Sequence, residues 1–374
     1  MRDMSILAYF FENSYSKYVQ IRTFLIYLLI FFSLLTHYGC NTTEPSIPID
    51  QITSLEYDWE IDTLFNPNGY GIVPKSIWGS STSDIWVAGY NLAGQGEMFH
   101  FDGLTWKRTT PDLGFNYELS AVWGFNENEV FVVGSKLIID SALHTESLIL
   151  RYNGINWDKE TIPLGKGLLY IHGQNSNDIW ACGFSGALYH KTGDTWQKMY
   201  FDTKLKLGPI WAAPSGEVFM MNEYYDYPVT EDTAMFYFSK YSSSNWNILD
   251  SCRLVNIDGI PTGYKFGEYG VFGISENEIY SAGSGLFKFD GSNWQVETWD
   301  DYDYNDIKCN EDLIFFVVGG HGTIRYLLNN QWQKIRDFSK YTVDLYSIMP
   351  FKNEIFIGAY SGGNGYIIHG KLKN

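Results

Sequence analysis

Two short runs carry the side chains best suited to molecular recognition. Asn222-Glu223-Tyr224-Tyr225-Asp226-Tyr227 and Trp299-Asp300-Asp301-Tyr302-Asp303-Tyr304-Asn305-Asp306 interleave aromatic rings with carboxylates. Tyr and Trp supply rigid contact area with a polar tip, which suits a sugar ring or a protein surface. Tyr224, Tyr225, Asp226, Tyr227, Asp301, Tyr302, Asp303 and Tyr304 are therefore candidate ligand-binding residues, joined by His321 in a glycine-rich turn.

Other chemistries find less support. Asp301, Asp303 and Asn305 have the alternate spacing of calcium-loop ligands, but Asp306 stands where such a loop needs Gly and Asp312 where it needs Glu. No calcium or other cofactor is expected. Hydrolysis of a glycoside needs two carboxylates at a defined separation; Asp226, Glu268 and Asp303 are available, and sequence does not say whether they meet. A sialidase-type site needs clustered arginines to hold a carboxylate, and Arg253 is the one arginine in these loops. His144 and His321 lie far apart with no third ligand or base, so no catalytic residue is assigned.

These runs must be held by a scaffold, and the chain shows one as an internal repeat of about 40 to 60 residues. Its first motif is Ile77-Trp78-Gly79-Ser80-Ser81-Thr82-Ser83-Asp84-Ile85-Trp86-Val87-Ala88-Gly89. The frame returns at Trp123-Gly124 with Glu129-Val130-Phe131, His172-Gly173 with Asp178-Ile179-Trp180, Trp211 with Glu217-Val218-Phe219, and Phe272-Gly273 with Glu278-Ile279-Tyr280. Degenerate copies run from Ile307 to Gly319, with Ile314 in place of the acid, and from Ile348 to Ile357. The second motif is Asp102-Gly103-Leu104-Thr105-Trp106, repeated around Gly154 and Trp157, Gly193 and Trp196, Gly291 and Trp294, and more loosely before Trp246 and Trp332. Asp-Gly and Asn-Gly suit tight turns between alternating strands, so each repeat reads as four antiparallel strands.

There are seven first motifs and six second motifs, because the chain stops after the strand at Tyr366. The missing strand is available at the other end, around Trp59, whose distance to Ile77 resembles that from Trp106 to Val122. The expected fold is all-β: a seven-bladed β-propeller of four-stranded blades whose last blade is closed by the N-terminal strand, over residues 55–374. Closure removes the open sheet edges of a linear array. Eleven of the thirteen tryptophans fall on repeat positions and read as packing between blades. Asp84, Glu129, Asp178, Glu217 and Glu278 read as turn acceptors for backbone N–H groups. Turns alternate between the two ends of the ring, and one end is elaborated: Ser135 to Glu146, Asn222 to Ala234, Ser251 to Tyr269, Thr298 to Asp306, Gly319 to Thr323 and Tyr360 to Gly365. Loops carry function more often than the scaffold beneath them.

Composition agrees, with 45% hydrophobic residues, 18% charged residues and 36 glycines alongside 13 Trp, 28 Tyr and 25 Phe. This is a globular, strand-rich chain. Its net charge of −17 argues against nucleic acid as a partner. Residues 1–39 differ: Lys17 and Arg22 precede the apolar run Phe24 to Leu35, which reads as an export signal. Cys182, Cys252 and Cys309 show no metal-ligand spacing and read as buried thiols, with one disulfide open.

Gly39 before Cys40, followed by the polar stretch 40–54, resembles the cleavage and lipidation site of bacterial lipoproteins, with His37 and Tyr38 departing from that family's pattern. The resemblance implies a lipid on Cys40, a polar tether and an extracytoplasmic location in the cell envelope, at the outer membrane or cell surface. An uncleaved anchor helix over Ile21 to Tyr38 is the alternative, near the lower limit for crossing a bilayer. The two repeat motifs resemble those of bacterial secreted and lipoprotein propellers. They are only distantly similar to the Asp-box, since Gly103 and Trp106 match but Phe101, and Lys191 in the third repeat, replace its Asp. The leading expectation is a non-catalytic propeller that binds a glycan or an envelope protein through its elaborated face and meets the membrane only through its lipid. A glycoside hydrolase or lyase and a structural platform of the envelope are the alternatives.

Overall fold

The computed structural model describes residues 54–373 except 140–142, 203–204, 225–234, 258–259, 300–302 and 336–342. Seven four-stranded antiparallel sheets follow one another along the chain, and a two-stranded hairpin, Val255–Ile257 with Ile260–Thr262, projects between the fourth and fifth. Blade 1 comprises Ile72–Ser81, Asp84–Asn91, Gly96–Phe101 and Trp106–Arg108. The first strands of blades 2 to 6 are Tyr117–Asn126, Leu168–Asn175, Leu205–Ala212, Gly270–Ser275 and Tyr304–Cys309. Blade 7 takes Asp344–Pro350, Glu354–Ser361 and Asn364–Leu372 from the C-terminus and Tyr57–Thr63 from the N-terminus. That last strand pairs in full register, Tyr57 opposite Leu372 through Thr63 opposite Tyr366. The expected seven blades and the expected closure are both present.

The first motif is a cross-strand unit, and its acids do not cap turns as expected. On the second strand of six of the seven blades the motif aromatic stands directly opposite a cationic residue or histidine of the third strand. Trp86 faces His100, Phe131 faces Arg151, Trp180 faces His190, Phe219 faces Lys240, Tyr280 faces Lys288 and Phe356 faces His369. The motif acid two residues earlier binds that same group: Asp84 to His100 at 2.6 Å, Glu129 to Arg151 at 2.7 Å, Asp178 to His190 at 2.7 Å. Glu217 to Lys240, Glu278 to Lys288 and Glu354 to His369 repeat it at 2.6, 2.8 and 2.6 Å. Ring faces stack on the histidines, at 4.0 Å for Trp86 and 3.8 Å for Trp180, or lie under the cations as cation–π pairs. Blade 6 lost acid and cation together: Ile314 replaces the first, and Tyr326, opposite Phe316, replaces the second. The turn-acceptor role belongs to the second motif. Asp102, Asn153 and Asp290 each accept two N–H groups of the following turn, and Gly103, Gly154 and Gly291 hold φ of 85°, 88° and 92°, where L side chains are strained.

Blades join through the tryptophans, as expected. The motif aromatic of one blade meets the second-motif Trp of the next edge-on: Trp86 with Trp157, Trp180 with Trp246, Tyr280 with Trp332. Trp78 and Trp211 lie over Gly124 and Gly273 of the following blade, where a Cβ would come within 3 Å of the indole. All three described cysteines are free thiols, and Cys182 donates to the Gly208 carbonyl at 3.2 Å.

Candidate functional site

The inner strands carry an irregularity that places the site. Six of them shift register at one equivalent point, between Val73 and Ser76, Leu119 and Ala121, Leu168 and Tyr170, Leu207 and Ile210, Tyr304 and Asp306, and Leu345 and Ser347. A β-bulge re-aims a side chain and bends its strand. The glycine closing the first motif makes room for it. A Cβ on Gly89, Gly134, Gly183 or Gly319 would lie 2.0, 2.0, 2.2 or 2.3 Å from a carbonyl oxygen within or just before the neighbouring inner strand.

The bulge positions converge on the ring axis. Lys75, Ser120, Leu169, Asn305 and Tyr346, with Pro209 and Tyr269 from blades 4 and 5, line a cavity of about 750 Å³. Phe184 and Ser185, in the turn between the second and third strands of blade 3, border it, so it opens on the loop-rich end. Its floor is built from first-motif positions. Trp123 donates its indole N–H to the Gly173 carbonyl at 3.1 Å, His172 packs edge-on to Phe272, and Lys308 reaches from blade 6 to the Ile77 carbonyl of blade 1 at 2.8 Å.

Electrostatics in the cavity are mixed. Lys206 pairs with Glu223 at 3.0 Å and Lys308 stands 3.7 Å from Asp306. Burial pushes the Asp306 carboxyl up, against the pull of Lys308 and the N–H groups of Ile348 and Ile307. Burial likewise pushes Glu118 up. His172 is held down to about 3, by burial first and then by Lys308, so it is neutral at physiological pH, and its Nδ1 accepts the Ala212 N–H. Burial and Lys206 hold Lys75 below the ordinary lysine range. Tyr90, Tyr170, Tyr269 and Tyr346 are all raised, chiefly by burial, and stay protonated.

The candidates read from sequence meet this site only in part. Tyr225, Asp226, Tyr227, Asp301 and Tyr302 lie outside the described residues. Tyr224 ends a strand of blade 4, partly buried, and Asp303 is exposed just before the inner strand of blade 6. Tyr304 offers no surface at all: at 0% exposure it belongs to the core between blades 5 and 6, because strand alternation turns it inward between Asp303 and Asn305. Asn305 donates its side-chain N–H to the Leu345 carbonyl at 2.8 Å, which ties blade 6 to blade 7. His321 sits exposed in the blade 6 turn Gly320–Gly322 with φ of 53°, away from the cavity lining. Ser135 to Glu146, expected as a loop, is mostly the extended strand pair Glu129–Ile139 and Leu143–Tyr152, with His144 on the second strand. Glu268 stands beside the cavity with its carboxyl raised to about 7, mainly by burial, and accepts the Ser284 hydroxyl at 3.0 Å. Among the described residues no group of three His, Cys, Asp or Glu side chains could hold a metal.

The lining residues Lys75, Tyr90, Tyr170, Lys206 and Tyr346 were not singled out from sequence. For Lys75 and Tyr346 the signal was available as a column of the repeat. Two residues before the apolar opening of each first motif stand Lys75, Ser120, Leu169, Gly208, Tyr269, Asn305 and Tyr346, a column with no consensus in which only Tyr recurs.

No family model matches the chain, and neither does any curated protein. Solved propellers resemble it in fold. YCF48 bound to a D1 peptide is 17% identical, with a TM-score of 0.58, covering 86% of this chain and 100% of its own. A catalytically inactive virginiamycin B lyase from Staphylococcus aureus, solved with quinupristin, is 12% identical at a TM-score of 0.55, covering 84% of this chain and 100% of its own. A protein of unknown function from Dyadobacter fermentans is 10% identical at 0.52, covering 86% and 100%. At these identities the likeness shows the β-propeller fold.

Proposed function

We propose that this chain is an exported propeller, held at the cell envelope by a lipid on Cys40, that binds an extended protein segment at the loop-rich mouth of its central cavity without altering it chemically. The observation that carries the reading is the contrast between frame and lining. Acid, aromatic, cation, glycine and turn recur from blade to blade, whereas the residue aimed at the axis takes six different types in seven blades, Tyr alone appearing twice. A scaffold kept regular around one irregular concavity is the pattern of a binding site grafted on a fold. Tyrosine rings, phenol donors and charged groups of both signs suit a peptide chain better than a uniform sugar surface, and the YCF48 propeller was solved with a peptide bound. The export signal and the tether after Cys40 would place this mouth outside the cytoplasm.

Panning the chain against a degenerate dodecapeptide display library and a glycan array tests the binding reading. Peptides should be recovered, and Ser120→Trp, which fills the mouth, should lose them while Leu104→Trp on the opposite end keeps them. Recovery of glycans alone, or indifference to Ser120→Trp, would overturn it. Incorporation of labelled palmitate, abolished by Cys40→Ser, tests the anchor.

A further inference from the structure

Lys75 is the lysine of the cavity whose charge the protein leaves unmatched. Its ammonium lies 4.6 Å from the ring centroid of Tyr346, and among the described residues it has neither a carboxylate nor a carbonyl partner. Lys206 and Lys308, the other two cavity lysines, both have carboxylate neighbours. This stands out in a chain of net charge −17 that matches six first-motif acids with six cations or histidines. A ring face compensates a partly buried ammonium only in part, and a buried charge without a counter-ion is costly.

Two hydrogen-bond donors line the cavity with it. Tyr346 beneath the ammonium and Tyr90, both lining the cavity, have no hydrogen-bond partner among the described residues, and burial keeps their phenols protonated as donors. The two rings are near enough to influence each other's ionisation. Glu118 acts on Tyr90 and Asp344 on Tyr346, and among the described residues neither carboxylate forms an ion pair with Lys75. An ammonium with phenol O–H groups lining the same cavity is a receptor for a single carboxylate.

We propose that Lys75, with the Tyr90 and Tyr346 hydroxyls, pairs with a carboxylate of the bound segment. The carboxylate is either a chain terminus or an Asp or Glu side chain. This deepens the peptide-binding reading and rests on it.

The test uses the full chain in detergent and a degenerate acetyl-pentapeptide library prepared in three forms. One lacks acidic residues and ends in a free carboxylate, one lacks them and ends in an amide, and one ends in an amide but admits Asp and Glu. Retention of the acid-free amide should be at least tenfold weaker than that of one carboxylate form, and the retained form identifies terminal or side-chain recognition. Lys75→Met, which keeps the aliphatic stem over Tyr346, should erase the preference, and Lys75→Arg should keep it. The free chain should also unfold at a higher temperature as Lys75→Met, since an unmatched charge is gone. Equal retention of all three forms, a preference that survives Lys75→Met, or a lowered melting temperature would overturn the carboxylate assignment and leave peptide binding standing. Retention of no form by the wild type would overturn both.

Discussion

Gly134→Ala adds one methyl group where two strands leave no room for it. A Cβ on Gly134 would lie 2.0 Å from the carbonyl oxygen of Glu118 and 2.9 Å from the Leu119 Cα. An ordinary C···O contact needs about 3.3 Å, so the inner strand of blade 2 must retreat by about 1.3 Å at its bulge. The obstructing atoms are backbone, which cannot swing aside as a side-chain end can. Overpacking costs about 1–3 kcal/mol, and the rigid neighbour puts this site at about 3 kcal/mol. Gly193→Ala is the control. Its φ is 60° and nothing lies within 4 Å of the added Cβ, so only left-handed strain of about 1 kcal/mol opposes it. Urea titrations followed by tryptophan fluorescence should give the order wild type, Gly193→Ala, Gly134→Ala from most to least stable. Gly134→Ala should also weaken binding at the mouth, because Glu118 and Ser120 move with the bulge. A Gly134→Ala cost no greater than that of Gly193→Ala would refute the claim that this close approach sets the bulge.

Three further outcomes are expected. Glu97, at 1% exposure, accepts from Asn91 at 2.9 Å, Arg108 at 2.6 Å and Thr110 at 3.1 Å and also from Asn66, so Glu97→Gln should lower unfolding free energy by about 3 kcal/mol, whereas Glu278→Gln in its half-exposed pair should cost under about 1 kcal/mol. Glu268 has its carboxyl raised from 4.5 to about 7 in the folded chain, so it favours folding below the unfolded value and loses that contribution as pH climbs through about 7. Stability of Glu268→Gln relative to wild type should therefore rise between pH 5 and pH 8 by about 2 kcal/mol, and a flat difference would contradict the burial of that group. Deleting residues 54–63 removes the strand that closes blade 7 and bares the edge of Asn364–Leu372; the shortened chain should aggregate on refolding, which light scattering would detect.

The blade count was legible because short-range features state it. Turn glycines, alternating apolar residues and indoles recur at fixed spacing, and the count of seven first motifs against six second motifs left one strand to come from around Trp59. The meaning of the motif acids was not legible. Asp84 and His100 are separated by a turn and a strand, and their pairing follows from cross-strand register, which local pattern does not reveal. Tyr304 shows the limit from the other side: within a run of carboxylates it reads as a loop residue, and only the start of the inner strand at that residue turns it into the core. The cavity was hidden for a third reason. A bulge shifts the period-two alternation by one residue, so Lys75 and Tyr346 face the axis at positions where an unbroken strand would not predict it.

The central claim is that a protein segment binds at the loop-rich mouth of the cavity. Photo-crosslinking in cells from benzoylphenylalanine placed at Tyr346, compared with the same group at Leu104 in an exposed turn of the opposite end, tests it most directly. The account expects a discrete protein adduct from position 346 and none from position 104. No adduct at 346, or equal adducts from both positions, would contradict it.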